Sequence, residues 1–177
     1  MTMIEIALPA DGERILALAR RIAGFNALDQ ECIEDLWGAY VTQGPKAGGY
    51  DFLVARLGEF VEAEYTDEQD RRPVGAMIGF ACYGPTPLTV GVYDLYWLAV
   101  DPDARRQGVG RALMARLEKD VRRNGGRMVL IETVSGDEYQ AARRFYESCD
   151  YRYQAVIHDF YDVGEDLLIF GKRLGGE

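Results

Sequence analysis

The sequence predicts a mixed α/β fold in a single domain, centred on a strand–turn–helix–strand unit. Three observations carry that expectation. Short apolar or alternating segments at 92–100 and 128–134 suit strands. Between them Val109, Leu113, Leu117 and Val121 recur every four residues, the spacing of one buried helix face. A chain of 177 residues, 48% hydrophobic and 28% charged, suits one core better than two small ones.

Taken in order, residues 3–8 alternate apolar side chains with others and read as a first strand. Pro9-Ala10-Asp11 opens a helix to about residue 23, with Ile15, Leu18, Ala19 and Ile22 on one face. A second helix is expected over 29–42, with Ile33, Leu36, Trp37 and Tyr40 inward; Gly44-Pro45 and Gly48-Gly49 break it. Strands follow at 50–56, 60–65 (as partner or continuation), 74–83 and 92–100, and the charged stretch 66–73 reads as an exposed turn. Asp101-Pro102 ends the strand, a helix runs from Gly108 to about 124, and Gly125-Gly126 closes it. The continuous apolar run 128–134 is expected to be covered on both faces. A helix over 138–149 and strands at 151–159 and 167–174 complete the chain.

Composition narrows the function. No apolar run approaches the roughly 20 residues that cross a bilayer, so no membrane partner is expected. Residues 1–9 carry no basic segment followed by a long apolar one, and so read as no signal peptide. Cys32, Cys82 and Cys149 are odd in number and widely spaced, which argues against a disulfide framework and for a reducing cytoplasm. With a single histidine, His158, they give neither a metal site nor a serine or cysteine triad. His158 itself reads as structural, or as a surface or pocket residue.

A net charge of −9 argues against general nucleic-acid binding. Yet the window 105–127 holds eight basic residues and only two acidic ones, Glu118 and Asp120. Arg116, Lys119 and Arg122 fit a solvated helix face. Arg105 and Arg106 sit instead where the helix begins, and fit a small phosphorylated ligand.

A helix start offers outward-pointing N–H groups and the positive end of the helix dipole, an anion site. Glycines at 108 and 110 let the main chain approach a diphosphate without Cβ atoms intervening. A Walker loop would continue Gly-Lys-Ser/Thr, but Gly110 is followed by Arg111-Ala112. A dinucleotide fingerprint would place a third small residue where Leu113 stands, in a turn directly after its strand. Both are excluded.

The pattern Arg105-x-x-Gly108-x-Gly110, behind Leu98-Ala99-Val100-Asp101-Pro102, resembles the cofactor signature of the GNAT superfamily of N-acetyltransferases. Downstream, Ala142-Arg143-Arg144-Phe145-Tyr146-Glu147 is similar to that family's A-x-x-F-Y-E helix. The resemblance covers roughly residues 75–151. It departs at Asp150-Tyr151, where the family has Gly-Phe, and at Tyr139, where it often has asparagine.

The resemblance implies an acyl-CoA N-acyltransferase fold, a mainly antiparallel sheet splayed between two parallel strands. It implies acetyl-CoA as acetyl donor, with no metal, and a primary amine as acceptor. Backbone N–H groups of Gln107, Gly108, Val109, Gly110, Arg111 and Ala112 would cradle the pyrophosphate beside Arg105 and Arg106. Leu98, Ala99 and Val100 would form the opened edge along which pantetheine lies, and an N–H near Leu98 would polarise the thioester carbonyl. A bulge near Tyr96-Trp97-Leu98 would accompany such an opening. Family members often form homodimers.

Acetyl transfer requires a neutral amine. At pH 7 a lysine amine costs roughly 4–5 kcal/mol to deprotonate and an α-amine only about 1 kcal/mol, so a base serves the first more than the second. Tyr146 matches the family tyrosine that protonates the departing sulfur; its other reading is a core aromatic beside Phe145. Glu132, a carboxylate in an apolar strand, is the first choice for the base, and Asp94 on the neighbouring strand is the rival. Either could instead be a buried structural carboxylate. Glu132 matches a glutamate of the ribosomal-protein N-terminal acetyltransferases, although its spacing to Tyr146 is about two residues longer here. The stretch 159–166 faintly resembles their substrate-side hairpin. Acidic residues such as Glu62, Glu64, Asp67, Glu68 and Asp70 favour a cationic amine or simply solubility. A catalytically weak, CoA-binding regulatory module is the alternative function.

Overall fold

The structure is a computed structural model that describes residues 2–44, 49–58 and 75–175. The expected strand at 60–65 and turn at 66–73 lie outside the described residues. The elements are β1 (Thr2–Ile6), α1 (Gly12–Arg21), α2 (Ala27–Gln43), β2 (Asp51–Leu57), β3 (Ala76–Pro85) and β4 (Val92–Val100), then α3 (Val109–Arg123), β5 (Met128–Val134), α4 (Gln140–Ser148), β6 (Arg152–Asp162) and β7 (Glu165–Arg173). One mixed sheet runs in the order β1-β2-β3-β4-β5-β7-β6. It is mostly antiparallel, with β4 and β5 as a parallel pair.

Two compact units can be distinguished, and each has its own core. The first takes residues 1–82 and 97–113. Its α1 begins after a 3-10 turn at Pro9–Asp11 and buries Ile15, Leu18 and Ala19. Asn26 caps α2 reciprocally: its Oδ1 accepts from the Asp29 N–H at 3.0 Å, and Asp29 Oδ2 accepts from the Asn26 N–H at 2.8 Å. Behind the cap, Trp37 and Tyr40 pack on Phe52 of β2 with ring centroids 5.1 and 5.3 Å away. Arg56 and Asp11 form a buried ion pair at 2.6 Å, with Glu5 on the other side of the guanidinium at 3.1 Å.

The second unit takes residues 83–96 and 114–177. Here β5 departs from its expected double burial. Val129, Ile131 and Thr133 are buried, while Glu132 is exposed and its alternate neighbours are half-buried. The reason lies in what covers the strand. Phe170, paired with Ile131, touches Tyr146 of α4, and Lys172, paired with Val129, bonds Glu118 of α3. The helices therefore cover the face carrying Val129 and Ile131, and Glu132 points to the other. Another difference concerns the expected helix at 138–149, which is a 3-10 turn at Asp137–Tyr139 followed by α4.

Candidate active site

The turn after β4 is built by side chains that no local pattern announces. Asp101 is buried and caps a 3-10 turn at Pro102–Ala104, its Oδ1 accepting from the Asp103 N–H at 3.0 Å. Arg21 of α1 donates to Asp101 at 2.5 Å and to Asp103 at 2.9 Å. The Asp101 N–H donates to the Ile78 carbonyl at 2.9 Å, which ties the turn to β3. Gly79 follows there because a Cβ would lie 2.9 Å from the Ala99 carbonyl oxygen and 3.2 Å from Val109 and Leu113 side chains. Arg21 and Gly79 are thus parts of the site that sequence reading missed; only the non-alternating glycine in an apolar strand could have hinted at one of them.

On that support the chain turns twice through the left-handed region, at Arg106 (φ 59°) and Gly108 (φ 82°). The second position suits glycine; the first holds an arginine in a conformation that non-glycine residues seldom adopt. Strain of this kind gathers at ligand sites. Helix α3 opens immediately, and the Ala112 N–H already donates to the Gly108 carbonyl at 2.9 Å. Arg105, Arg106, Gln107 and Gly108 are exposed, Val109 is buried, Gly110 and Ala112 are half-buried and Arg111 is exposed. A Cβ on Gly108 would meet no protein atom within 4 Å, so the space over the turn is open. Upstream, Ala99 is buried, and Leu98 and Val100 are half-buried.

The arginines of the basic window differ in their partners. Arg116 pairs with Asp120 at 2.7 Å, and Arg122 donates to the Leu174 carbonyl at 3.0 Å. Among the described residues Arg105 and Arg106 form no ion pair.

In the second unit, the parallel ladder runs from Val92↔Met128 to Leu95↔Ile131 and stops, although β4 continues to Val100 and β5 to Val134. Asp94 is opposite Leu130, which places Glu132 one pleat further along on the same face. Asp94 accepts a 2.8 Å hydrogen bond from the Thr86 hydroxyl. Burial holds its carboxyl above the usual range, and the Thr86 bond opposes that rise. Partial desolvation against the sheet also raises the Glu132 carboxyl, and the negative charge of Asp94 raises it further.

Tyr146 approaches from the other side. Its ring lies 5.7 Å from Phe145 and 6.5 Å from Phe170. Phe170 pairs with Ile131, whose side chain faces away from that of Glu132. The tyrosine and the carboxylates therefore address β5 from opposite faces and form no hydrogen-bonded pair. Burial pushes the Tyr146 phenol up to about 12, so it stays protonated at neutral pH. His158 stands apart on the β6–β7 hairpin, exposed and 3.1 Å from Asp166.

The chain is similar to known N-acetyltransferases in sequence and fold. An E. coli [ribosomal protein bS18]-alanine N-acetyltransferase is 32% identical over 98 residues, covering 54% of this chain and 63% of its own. A Bacillus subtilis S-(2-succino)cysteine N-acetyltransferase is 28% identical over 101 residues, covering 57% of this chain and 60% of its own. The match thus spans less than two thirds of either curated relative. A solved structure from Desulfovibrio desulfuricans, assigned to the GNAT acetyltransferases, superposes with a TM-score of 0.84 at 34% identity, over 99% of this chain and 100% of its own. A Salmonella typhimurium acetyltransferase structure containing acetyl-CoA shares the fold, at 19% identity and a TM-score of 0.68, over 100% of this chain and 96% of its own. Residues 30–151 match the Acetyltransferase (GNAT) family, and the chain belongs to it.

Proposed function

We propose that the chain, as one acetyltransferase domain over residues 1–177, moves the acetyl group of acetyl-CoA to a primary amine by direct attack on the thioester. The observation that carries the reading is the turn of Arg106 and Gly108, which opens α3 with unfilled space over Gly108, beside arginines that form no ion pair among the described residues. That is the chemistry a diphosphate requires: N–H donors, a helix dipole and positive charge. In this reading Arg105, Arg106 and the backbone N–H groups from Gln107 to Arg111 hold the pyrophosphate; the Ala112 N–H, expected from the sequence to join them, is taken by the Gly108 carbonyl. Leu98, Ala99 and Val100 lie along the pantetheine, and the Leu98 N–H polarises the carbonyl.

The amine nitrogen attacks the thioester carbon, forming the C–N bond, and its proton passes to Glu132, directly or through water. The tetrahedral intermediate collapses, the C–S bond breaks, and the leaving sulfur takes the Tyr146 proton. Opposite faces of β5 suit this division, because the proton is removed from the incoming nitrogen and delivered to the outgoing sulfur. Asp94 tunes Glu132 and is the alternative base. An α-amine costs less to neutralise at pH 7 than a lysine amine and asks less of a carboxylate base, so α-amines are the better matched acceptors. Two of the curated relatives carry a modified cysteine and a ribosomal-protein alanine in their names.

Thiol release from acetyl-CoA against α-amine, lysine and polyamine acceptors tests the proposal, with Tyr146→Phe as control. Stabilisation by CoA with no turnover on any amine would favour a CoA-binding regulatory module. Stabilisation by ATP and not by either CoA would remove both readings; a ligand at about 100 times its Kd should add roughly 2.7 kcal/mol.

A further inference from the structure

The C-terminal end of α4 is closed by a six-residue motif. The Tyr151 N–H donates to the Tyr146 carbonyl at 3.1 Å, and the Asp150 N–H to the Glu147 carbonyl at 3.0 Å. Asp150 takes the left-handed position between them, with φ 68°. Glycine is the usual occupant of that position, and an aspartate there leaves the closure in need of outside support.

That support comes from β7. Lys172 Nζ donates to the Cys149 carbonyl at 2.9 Å and to the two carboxylate oxygens of Glu118 at 2.8 and 2.9 Å. The Cys149 N–H donates in turn to the Tyr146 carbonyl at 3.0 Å. Tyr151 is fully buried, and the Lys172 ammonium sits 5.6 Å from its ring centroid. Two residues earlier on the same face of β7, Phe170 supports the Tyr146 ring. The strand therefore meets Tyr146 twice, under its ring and at its backbone. Glu118 is almost wholly buried, and a buried ion pair is a poor source of stability compared with apolar packing of the same volume. Three directed bonds to one ammonium fix an orientation, which apolar packing would not do.

We propose that Lys172 and Glu118 are positioning residues that hold the end of α4 so that Tyr146 presents its hydroxyl to the departing sulfur. This rests on the acetyl-transfer reading above. Tyrosines labelled with carbon-13 at Cζ report it directly, with the Tyr146 signal identified by its loss in Tyr146→Phe. Lys172→Met is expected to move that signal, and Lys172→Arg to restore it. With acetyl-CoA and an α-amine, Lys172→Met should lower kcat by roughly tenfold to a hundredfold while KM for acetyl-CoA changes less than about twofold. Combined with Tyr146→Phe it should cost nothing more, because the group it positions is gone. If Lys172→Met does not fold, Glu118→Gln provides the same readings. A Tyr146 signal unmoved by loss of the ion pair overturns the proposal, as does a double variant slowed by the full Lys172→Met factor. Absence of amine-dependent thiol release by the wild type overturns the acetyl-transfer reading instead, and the Cζ signal still decides whether Lys172 holds Tyr146.

Discussion

Asp94 and Glu132 share one face of the parallel β4–β5 pair, and the charge of the first raises the carboxyl of the second. As the proposed base Glu132 must be ionised, so kcat/KM should fall as pH drops through its raised pKa. Asp94→Asn removes the charge, lowers that pKa and moves the acid limb to lower pH. A pH–rate profile of Asp94→Asn checks the sign; a limb that stays in place would show that Glu132 does not set it.

A carboxyl raised in the folded state contributes stability below its unfolded pKa and loses it as pH rises through the folded value. Glu132→Gln should therefore unfold no lower than wild type at pH 7, while activity toward an α-amine drops by about a hundredfold. Thermal melts and initial rates on the same preparations separate the two effects. A large loss of stability would make Glu132 structural.

Tyr146→Phe should lower kcat by about 10²–10⁴-fold with little change in CoA affinity, since only the hydroxyl is lost. A phenol at about 12 is protonated throughout neutral pH, so Tyr146 should impose no basic limb below about pH 11. A basic limb near pH 8 that vanishes in Tyr146→Phe would contradict this.

Gly108→Ala meets no atom, so its cost is conformational, about 1–2 kcal/mol at a positive φ. Arg106→Gly relieves the other left-handed residue and should stabilise the free protein by about 1 kcal/mol. It should also weaken CoA by losing a cation. Melting temperature and CoA Kd are both expected to rise for Arg106→Gly; a raised melting temperature with an unchanged Kd would detach the arginine from the pyrophosphate.

Arg56 and Asp11 test the first unit in isolation from the chemistry. Their side chains are 1% and 0% exposed, and Asp11→Ala leaves the guanidinium buried with Glu5 as its remaining carboxylate. A loss of about 3–5 kcal/mol in denaturant unfolding is expected. A loss below about 1 kcal/mol would mean that water reaches the pair.

The sequence by itself determined the mixed α/β class, the stripe of Val109, Leu113, Leu117 and Val121, and the glycine-bearing turn from Arg105 to Gly110 that opens α3. Each is written in residues close along the chain, where helical spacing, strand pattern and glycine placement act directly. Tyr146, Glu132 and Asp94 were legible as residue types within recognisable segments. Tertiary structure decided what those segments could not: that Glu132 and Tyr146 point from opposite faces of β5, and that the β4–β5 ladder stops at Leu95. It also brought Arg21 to Asp101 and Lys172 to Glu118, 80 and 54 residues apart. Such pairings depend on which strands become neighbours and in what register, and no local pattern of side chains encodes that.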